Sequence, residues 1–115
     1  MGYTTAAENA AITGIKNGAT FISLHTGDPG TTGAAELTGG TYARVAVTWG
    51  TVASGSVTST AAATINVPAA NTITYWGLWS AATGPTFYFG GPLPASETFG
   101  ASGTYSLTPT LTATN

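Results

Sequence analysis

The sequence predicts an all-β fold, a small antiparallel β-sandwich or barrel-like domain with one short N-terminal helix. Apolar residues follow a helical period only as far as about position 18, and beyond it they alternate with polar residues as in half-buried strands. Turn-forming glycines, prolines and asparagines then separate short runs at the spacing typical of sandwiches and barrels. The 115 residues are predicted to form a single domain, 1–115.

The helix is predicted at about 6–16. Thr5 and Glu8 have the spacing of a capping box, in which the hydroxyl and the carboxylate satisfy free amides of the first turn. Asn17 and Gly18 supply a left-handed stop. Because the apolar stripe of this helix is almost entirely alanine and glycine, we expect it to bury itself only by lying close to a sheet or a neighbouring subunit.

The β-domain is predicted at about 19–113. Its strands are expected at 21–24, 44–49, 56–60, 64–67, 72–80, 86–90 and 104–112. Gly90 and Gly91 are interpreted as a separator that follows the sixth strand. Pro109 cannot donate to a β-ladder, so it predicts an edge or a bend in the last strand. The aromatic residues on the two strands that flank 82–85 are interpreted as core, with a sugar-binding platform as the alternative.

The composition excludes several classes of function. Thr (24), Ala (20) and Gly (16) dominate, whereas charged residues make up 5% and the net charge is −2. No basic stripe is present to neutralise a phosphate backbone, which argues against nucleic acid binding. No segment approaches the ~20 continuous apolar residues of a membrane span. A surface covered by hydroxyls gives little repulsion between copies of the protein, which suits a role inside an assembly.

The residue types that carry chemistry predict no catalytic, metal or cofactor site. There is no cysteine, and His25, the single histidine, is followed only by scattered carboxylates. We therefore interpret His25 as a strand-end imidazole bonded to loop backbone, with a metal ligand as the less favoured alternative. The loop at 26–42 is too long for a simple connector, and such loops commonly contact a partner. Arg44 is predicted to pair with Glu36 across a hairpin turn at Gly39 and Gly40. The two side chains lie directly opposite each other if the loop has three residues, 39–41, and on opposite faces if it has two.

Four segments occur in a defined order and spacing along the chain. They are ISLHTGDPG at 22–30, GGTYAR at 39–44, YWGLW at 75–79 and GGPL at 90–93. Together they resemble a family of small virion structural proteins of tailed bacteriophages, over about residues 8–112. Val45 departs from the family pattern, in which a polar residue is common after Tyr-Ala-Arg.

The resemblance implies a non-enzymatic role in the virion, after synthesis in the host cytoplasm. The preferred interpretation is a capsid decoration protein on the outside of the assembled head. Its partners would be the major capsid protein and further copies of itself, as a homotrimer, with no cofactor, nucleic acid or membrane. The alternative is a minor tail or tail-fibre protein with tail proteins as partners, although the chain has no shaft repeats and no heptads.

A free carbohydrate-binding module is a less favoured possibility, which exposed aromatic side chains would support. If the protein acts through contacts, the loop at 26–42 and its flanks are the segment expected to provide them. The possible subunit or capsid contacts are His25, Asp28, Pro29, Glu36, Tyr42 and Arg44.

Overall fold

The computed structural model describes residues 3–84 and 86–113. One helix, α1 (Thr5–Gly18), precedes eight strands. The strands are β1 (Phe21–His25), β2 (Val45–Ala46), β3 (Ser56–Thr58), β4 (Ala63–Val67), β5 (Asn71–Trp79), β6 (Phe87–Phe99), β7 (Gly103–Leu107) and β8 (Thr110–Thr112). Every pair of strands is antiparallel, which confirms the predicted all-β class with one short N-terminal helix. The sheets are open, and no barrel closes among the described residues.

Helix α1 begins and ends at other residues than the sequence indicated. Its N-cap is Thr4 rather than Thr5, because the Thr4 hydroxyl accepts the N–H of Ala7 at 3.1 Å. The left-handed stop at Gly18 is wrong as well. The helix continues through Gly18, and the N–H of Ala19 closes its last turn on the Ile15 carbonyl at 2.7 Å.

The face of α1 that meets the core is also different from the predicted one. Ile12 is buried in the core, and Ile15 packs against it while remaining half-buried. An isoleucine removes far more apolar surface from water than an alanine does, so Ile12 decides which side of the helix turns inward. The members of the small-residue stripe that remain exposed are Ala7, Ala10, Ala11 and Gly14.

The largest sheet has four strands in the order β2-β1-β5-β6. Because side chains alternate along a strand, its two faces differ in chemistry. One face carries Ile22, Leu24 and Leu78, all fully buried in the main core, against which β4 also packs. The other face carries Ser23 directly opposite Gly77 on β5. This second face holds the polar groups described below.

Strand β6 does not stop at the predicted separator. Gly90 and Gly91 lie inside the strand, opposite Gly77 and Trp76 of β5. The glycines mark crowding rather than a turn, because a Cβ on Gly90 would overlap the ring of Pro29. Since β6 is the edge strand of this sheet, it also tolerates the prolines that follow.

The last predicted strand is divided at Pro109, as expected from its missing N–H. The segment before it, β7, pairs with β4, and the segment after it, β8, pairs with β3. Hydroxyl groups meet across both ribbons on their exposed sides. Thr58 and Thr110 are 2.9 Å apart, and Thr64 and Ser106 are 3.2 Å apart. The outer surface of the ribbons is therefore polar without being charged.

Candidate functional site

Residues 26–42, which we call the strap, first cover the polar face of the four-stranded sheet, as far as residue 35. They then follow the edge of β1, where Leu37 is buried in the main core. The strap leaves β1 at His25 and returns to it at Glu36, which forms an isolated antiparallel bridge with His25. Residues 26 and 35 are joined by a hydrogen bond, in which the Thr26 N–H donates to the Ala35 carbonyl at 3.0 Å. Pro29 is buried beneath it against Gly90. The long loop is thus an ordered layer on the sheet.

A chain of three hydrogen bonds runs under the strap. The Trp79 indole N–H donates to Ser23 Oγ at 2.9 Å, and Ser23 Oγ lies 2.7 Å from His25 Nε2. On the other side of the ring, His25 Nδ1 lies 2.7 Å from the Ala34 carbonyl. A carbonyl only accepts, so Nδ1 carries the proton, and Nε2 is free to accept the Ser23 hydroxyl proton. This arrangement confirms the interpretation of His25 as a strand-end imidazole bonded to loop backbone.

Burial and the absence of a side chain at Gly77 make this series of hydrogen bonds possible. His25 is 0% exposed, and burial lowers its pKa below 6.5, despite opposing effects of the Ala34 hydrogen bond and of Glu36. A Cβ on Gly77 would come within 2.8 Å of both His25 Nε2 and Ser23 Oγ. The glycine in the YWGLW segment therefore provides the space in which the imidazole and the hydroxyl meet.

Arg44 and Glu36 form a bidentate ion pair beside this chain. Arg44 Nη2 lies 2.8 Å from Glu36 Oε1, and Arg44 Nε lies 2.9 Å from Oε2. Tyr42 donates its hydroxyl to the same Oε2 at 2.7 Å and accepts the Leu24 N–H at 3.2 Å. The predicted pairing of Glu36 with Arg44 is confirmed.

The predicted hairpin between these two residues is wrong. Glu36 bridges to His25 on β1, and Arg44 directly precedes β2, whose Val45 pairs with Ile22 of the same strand. Both charged residues therefore lie along one edge of β1 and meet there without forming a ladder with each other. The segment 39–41 is a turn in the strap rather than a hairpin loop.

The ion pair and the hydrogen bonds around it determine the protonation states of Glu36 and Tyr42. Burial raises the pKa of Glu36, but hydrogen bonds from Arg44 and Tyr42 outweigh this, so its pKa lies below 4.5. Burial and the Glu36 carboxylate raise the pKa of Tyr42 well above its ordinary value. Glu36 is thus held as a carboxylate and Tyr42 as a phenol that donates to it.

Arg44 also ties the strap to the hairpin between β5 and β6. Its Nη1 donates to the carbonyls of Ala81 and Gly84, at 3.1 and 3.2 Å. Its guanidinium carbon lies 3.6 Å from the centre of a Trp79 ring, in a cation–π contact. An open groove of about 400 Å³ lies alongside, lined by residues 36–39, 42–44 and 82–84. One arginine thus joins three separate parts of the chain.

Five of the six predicted contact residues take part in the contacts that hold the strap to the sheet. His25 and Pro29 are buried, and Glu36, Tyr42 and Arg44 are half-buried and bonded to one another or to the sheet. Asp28 is the exposed member, and its carboxylate accepts the Gly30 N–H at 2.9 Å. Their use as contacts with other proteins remains a prediction.

Sequence reasoning missed Ser23 and Trp79, which complete the site. The signal for Ser23 was a small polar residue in the middle of an otherwise apolar strand.

Trp76 and Trp79 are buried, 8% and 7% exposed, which confirms the core interpretation for the tryptophans. The core interpretation is wrong for Tyr88 and Phe89, which are exposed, at 43% and 39%. The Phe89 ring packs against Trp76, with ring centres 5.3 Å apart.

The fold and the site define a class of protein: a small β-rich protein whose buried polar groups fix a loop to a sheet. In the part of the chain that the structure describes, no three His, Asp or Glu side chains are grouped to hold a metal ion. Within the same residues, no helix is long and apolar enough to cross a membrane.

Comparison with known proteins specifies the family. Residues 5–113 match the family described as podophage GP4 fiber I protein gp80. No curated protein matches the sequence. The chain therefore belongs to this family of phage fibre-type structural proteins, which confirms the resemblance to virion structural proteins of tailed phages.

Proposed function

We propose that the protein is a structural component of a phage tail fibre, where it provides binding surface rather than chemistry. The match of residues 5–113 to a fibre family carries this proposal. It favours the tail-fibre alternative over the capsid decoration role that the sequence analysis prefers. The absence of shaft repeats and heptads, which argued against a fibre, suits a small module within a fibre rather than a whole shaft.

The shape and surface of the molecule support this role. The principal dimensions are 46 × 26 × 26 Å, so the molecule is longer than it is wide. Its exposed ribbons present paired hydroxyls, and the exposed part of the strap carries one charge, at Asp28. Such a surface allows copies to associate closely without charge repulsion. We therefore propose that the protein associates with further copies of itself, as a homotrimer, and with tail proteins.

Phage particles that lack this protein distinguish the two locations. A fibre component is expected to leave heads as heat-resistant as those of the wild type but to reduce adsorption to host cells. Adsorption assays and heat challenge of purified particles measure the two properties, and resupply of the protein in trans is the control. Particles that adsorb normally but open at lower temperature would instead indicate a ligand that stabilises the assembled head, and the fibre proposal would be abandoned.

A further inference from the structure

We propose that the first part of the strap, residues 26–35, is an acid-sensitive latch, which stays on the sheet while His25 is neutral and lifts away from it when His25 takes up a proton. This proposal does not depend on the fibre assignment. It rests on the directions of the hydrogen bonds under the strap and on what holds the strap in place.

A second proton on the imidazole would remove the hydrogen-bond acceptor of the Ser23 hydroxyl. Nδ1–H already donates to the Ala34 carbonyl, and Nε2 faces Ser23 Oγ at 2.7 Å. A proton on Nε2 would turn this acceptor into a donor. Ser23 Oγ would then receive hydrogen atoms from both His25 and Trp79, and its own hydrogen would lose its acceptor. The imidazolium would in addition be fully buried.

The groups that face His25 do not compensate for a positive charge. From the strap, Glu36 favours protonation, but its carboxylate is already engaged by Arg44 and Tyr42. Arg44 itself disfavours protonation. From β5 the phenol of Tyr75 lies opposite His25. From β6 the ring of Phe87 meets the imidazole edge-on, at 6.2 Å, and brings no charge. Asp28, in the strap, is exposed and bonded to loop backbone.

Release of residues 26–35 would be local because this first part of the strap and the main core lie on opposite faces of the sheet. Leu37, in the last part of the strap, is buried in the main core and stays in place. The first part of the strap rests on the polar face through Pro29 and the Ala34 hydrogen bond. Trp79, which lies beneath it, is buried but is not a member of the main core cluster. That cluster contains Leu24 and Leu78 on the other face. Residues 26–35 can therefore separate from the sheet while the main core remains packed.

The sign of the pH dependence follows from the lowered pKa of His25 in the closed state. An open strap exposes the imidazole to water, where its pKa returns to about 6.5. The open state then binds more protons, so acidification favours opening. Between 6.5 and the lower pKa of the closed state, each unit of pH decrease should raise the opening equilibrium constant about tenfold.

Two indole N–H groups allow this opening to be measured by NMR. The indole N–H of Trp79 is bonded to Ser23 beneath the strap, whereas that of Trp49 is bonded to the Ala19 carbonyl. We expect hydrogen exchange of the Trp79 indole, divided by its intrinsic rate at each pH, to accelerate about tenfold per unit below pH 6.5, with that of Trp49 unchanged. His25 is the single histidine, so its ring titration is read in the same samples without ambiguity.

Two variants complete the test. His25→Asn retains an N–H donor toward the Ala34 carbonyl and cannot be protonated, so its Trp79 exchange should lose the acid acceleration. Asp28→Asn replaces the exposed carboxylate of residues 26–35 by a neutral amide that can still accept the Gly30 N–H, and it should leave the acceleration in place. The proposal is overturned if Trp79 and Trp49 accelerate together, if Trp79 exchange does not change with pH in the native protein, or if Asp28→Asn abolishes the effect. The wild-type measurement alone decides if His25→Asn does not fold.

Discussion

At the scale of single residues, two of the six charged residues of this chain, Arg44 and Glu36, hold the structure together from within. With 5% of its residues charged, the chain places Arg44 so that it bonds to Glu36 and to the carbonyls of the β5–β6 hairpin, and covers Trp79. The partner of Arg44 could be predicted from the sequence because two opposite charges eight positions apart flank a turn. Its contact with Trp79 could not, because that residue is brought close only by the pairing of β1 with β5.

The ion pair should be detectable as an energetic coupling. Arg44→Ala and Glu36→Ala are each expected to lower the free energy of unfolding, by about 1–3 kcal/mol, because each leaves a half-buried charge without its partner. The double variant should lose less than the sum of the two, with a coupling of at least about 0.5 kcal/mol. Urea denaturation of the four proteins measures this.

A matched cycle provides the control for this measurement. Asp28 is exposed and its carboxylate is bonded to loop backbone, so Asp28→Ala combined with Arg44→Ala should be additive. Additivity in the Glu36 cycle as well would mean that the pair contributes nothing in solution. Arg44 would then become a candidate for contact with a neighbouring subunit.

At the scale of elements, local periodicity predicted most strands, and long-range contacts decided where it failed. The split at Pro109 followed from a property of one residue, its missing N–H, and was therefore predictable. The continuation of β6 through Gly90 was not, because glycine in a sequence indicates a turn and a point of close approach equally well. Here the approaching group is Pro29, about sixty residues earlier in the sequence.

Gly90→Ala tests whether that close approach holds the strap in place. The added methyl group would overlap the Pro29 ring, so either the strap or β6 must shift, at a cost of about 1–3 kcal/mol in unfolding free energy. Gly100→Ala is the matched control, since nothing lies within 4 Å of its Cβ position. Equal stabilities of the two variants in urea denaturation would show that the packing of Pro29 on β6 does not require a glycine at position 90.

At the scale of the whole molecule, the balance of hydroxyls over charges is the dominant property, and composition alone revealed it. Contacts between copies are therefore expected to be apolar and hydrogen-bonded rather than ionic. Raising the NaCl concentration from 50 to 500 mM should change the self-association constant by less than about threefold, because few charges are available for screening. Sedimentation analysis at the two concentrations measures this. A decrease of tenfold or more would indicate an interface built on ion pairs.

The pairing of β7 and β8 also has a consequence for how the chain folds during synthesis. Strands β3 and β4 find their partners only in residues 103–112, between 36 and 56 positions further along the chain. Until the ribosome has released that segment, both strands carry unpaired edges rich in threonine and valine. Such non-local pairing makes folding slow compared with that of a helical bundle of the same length. Nascent chains interrupted before residue 103 should therefore be sensitive to proteases and prone to aggregate.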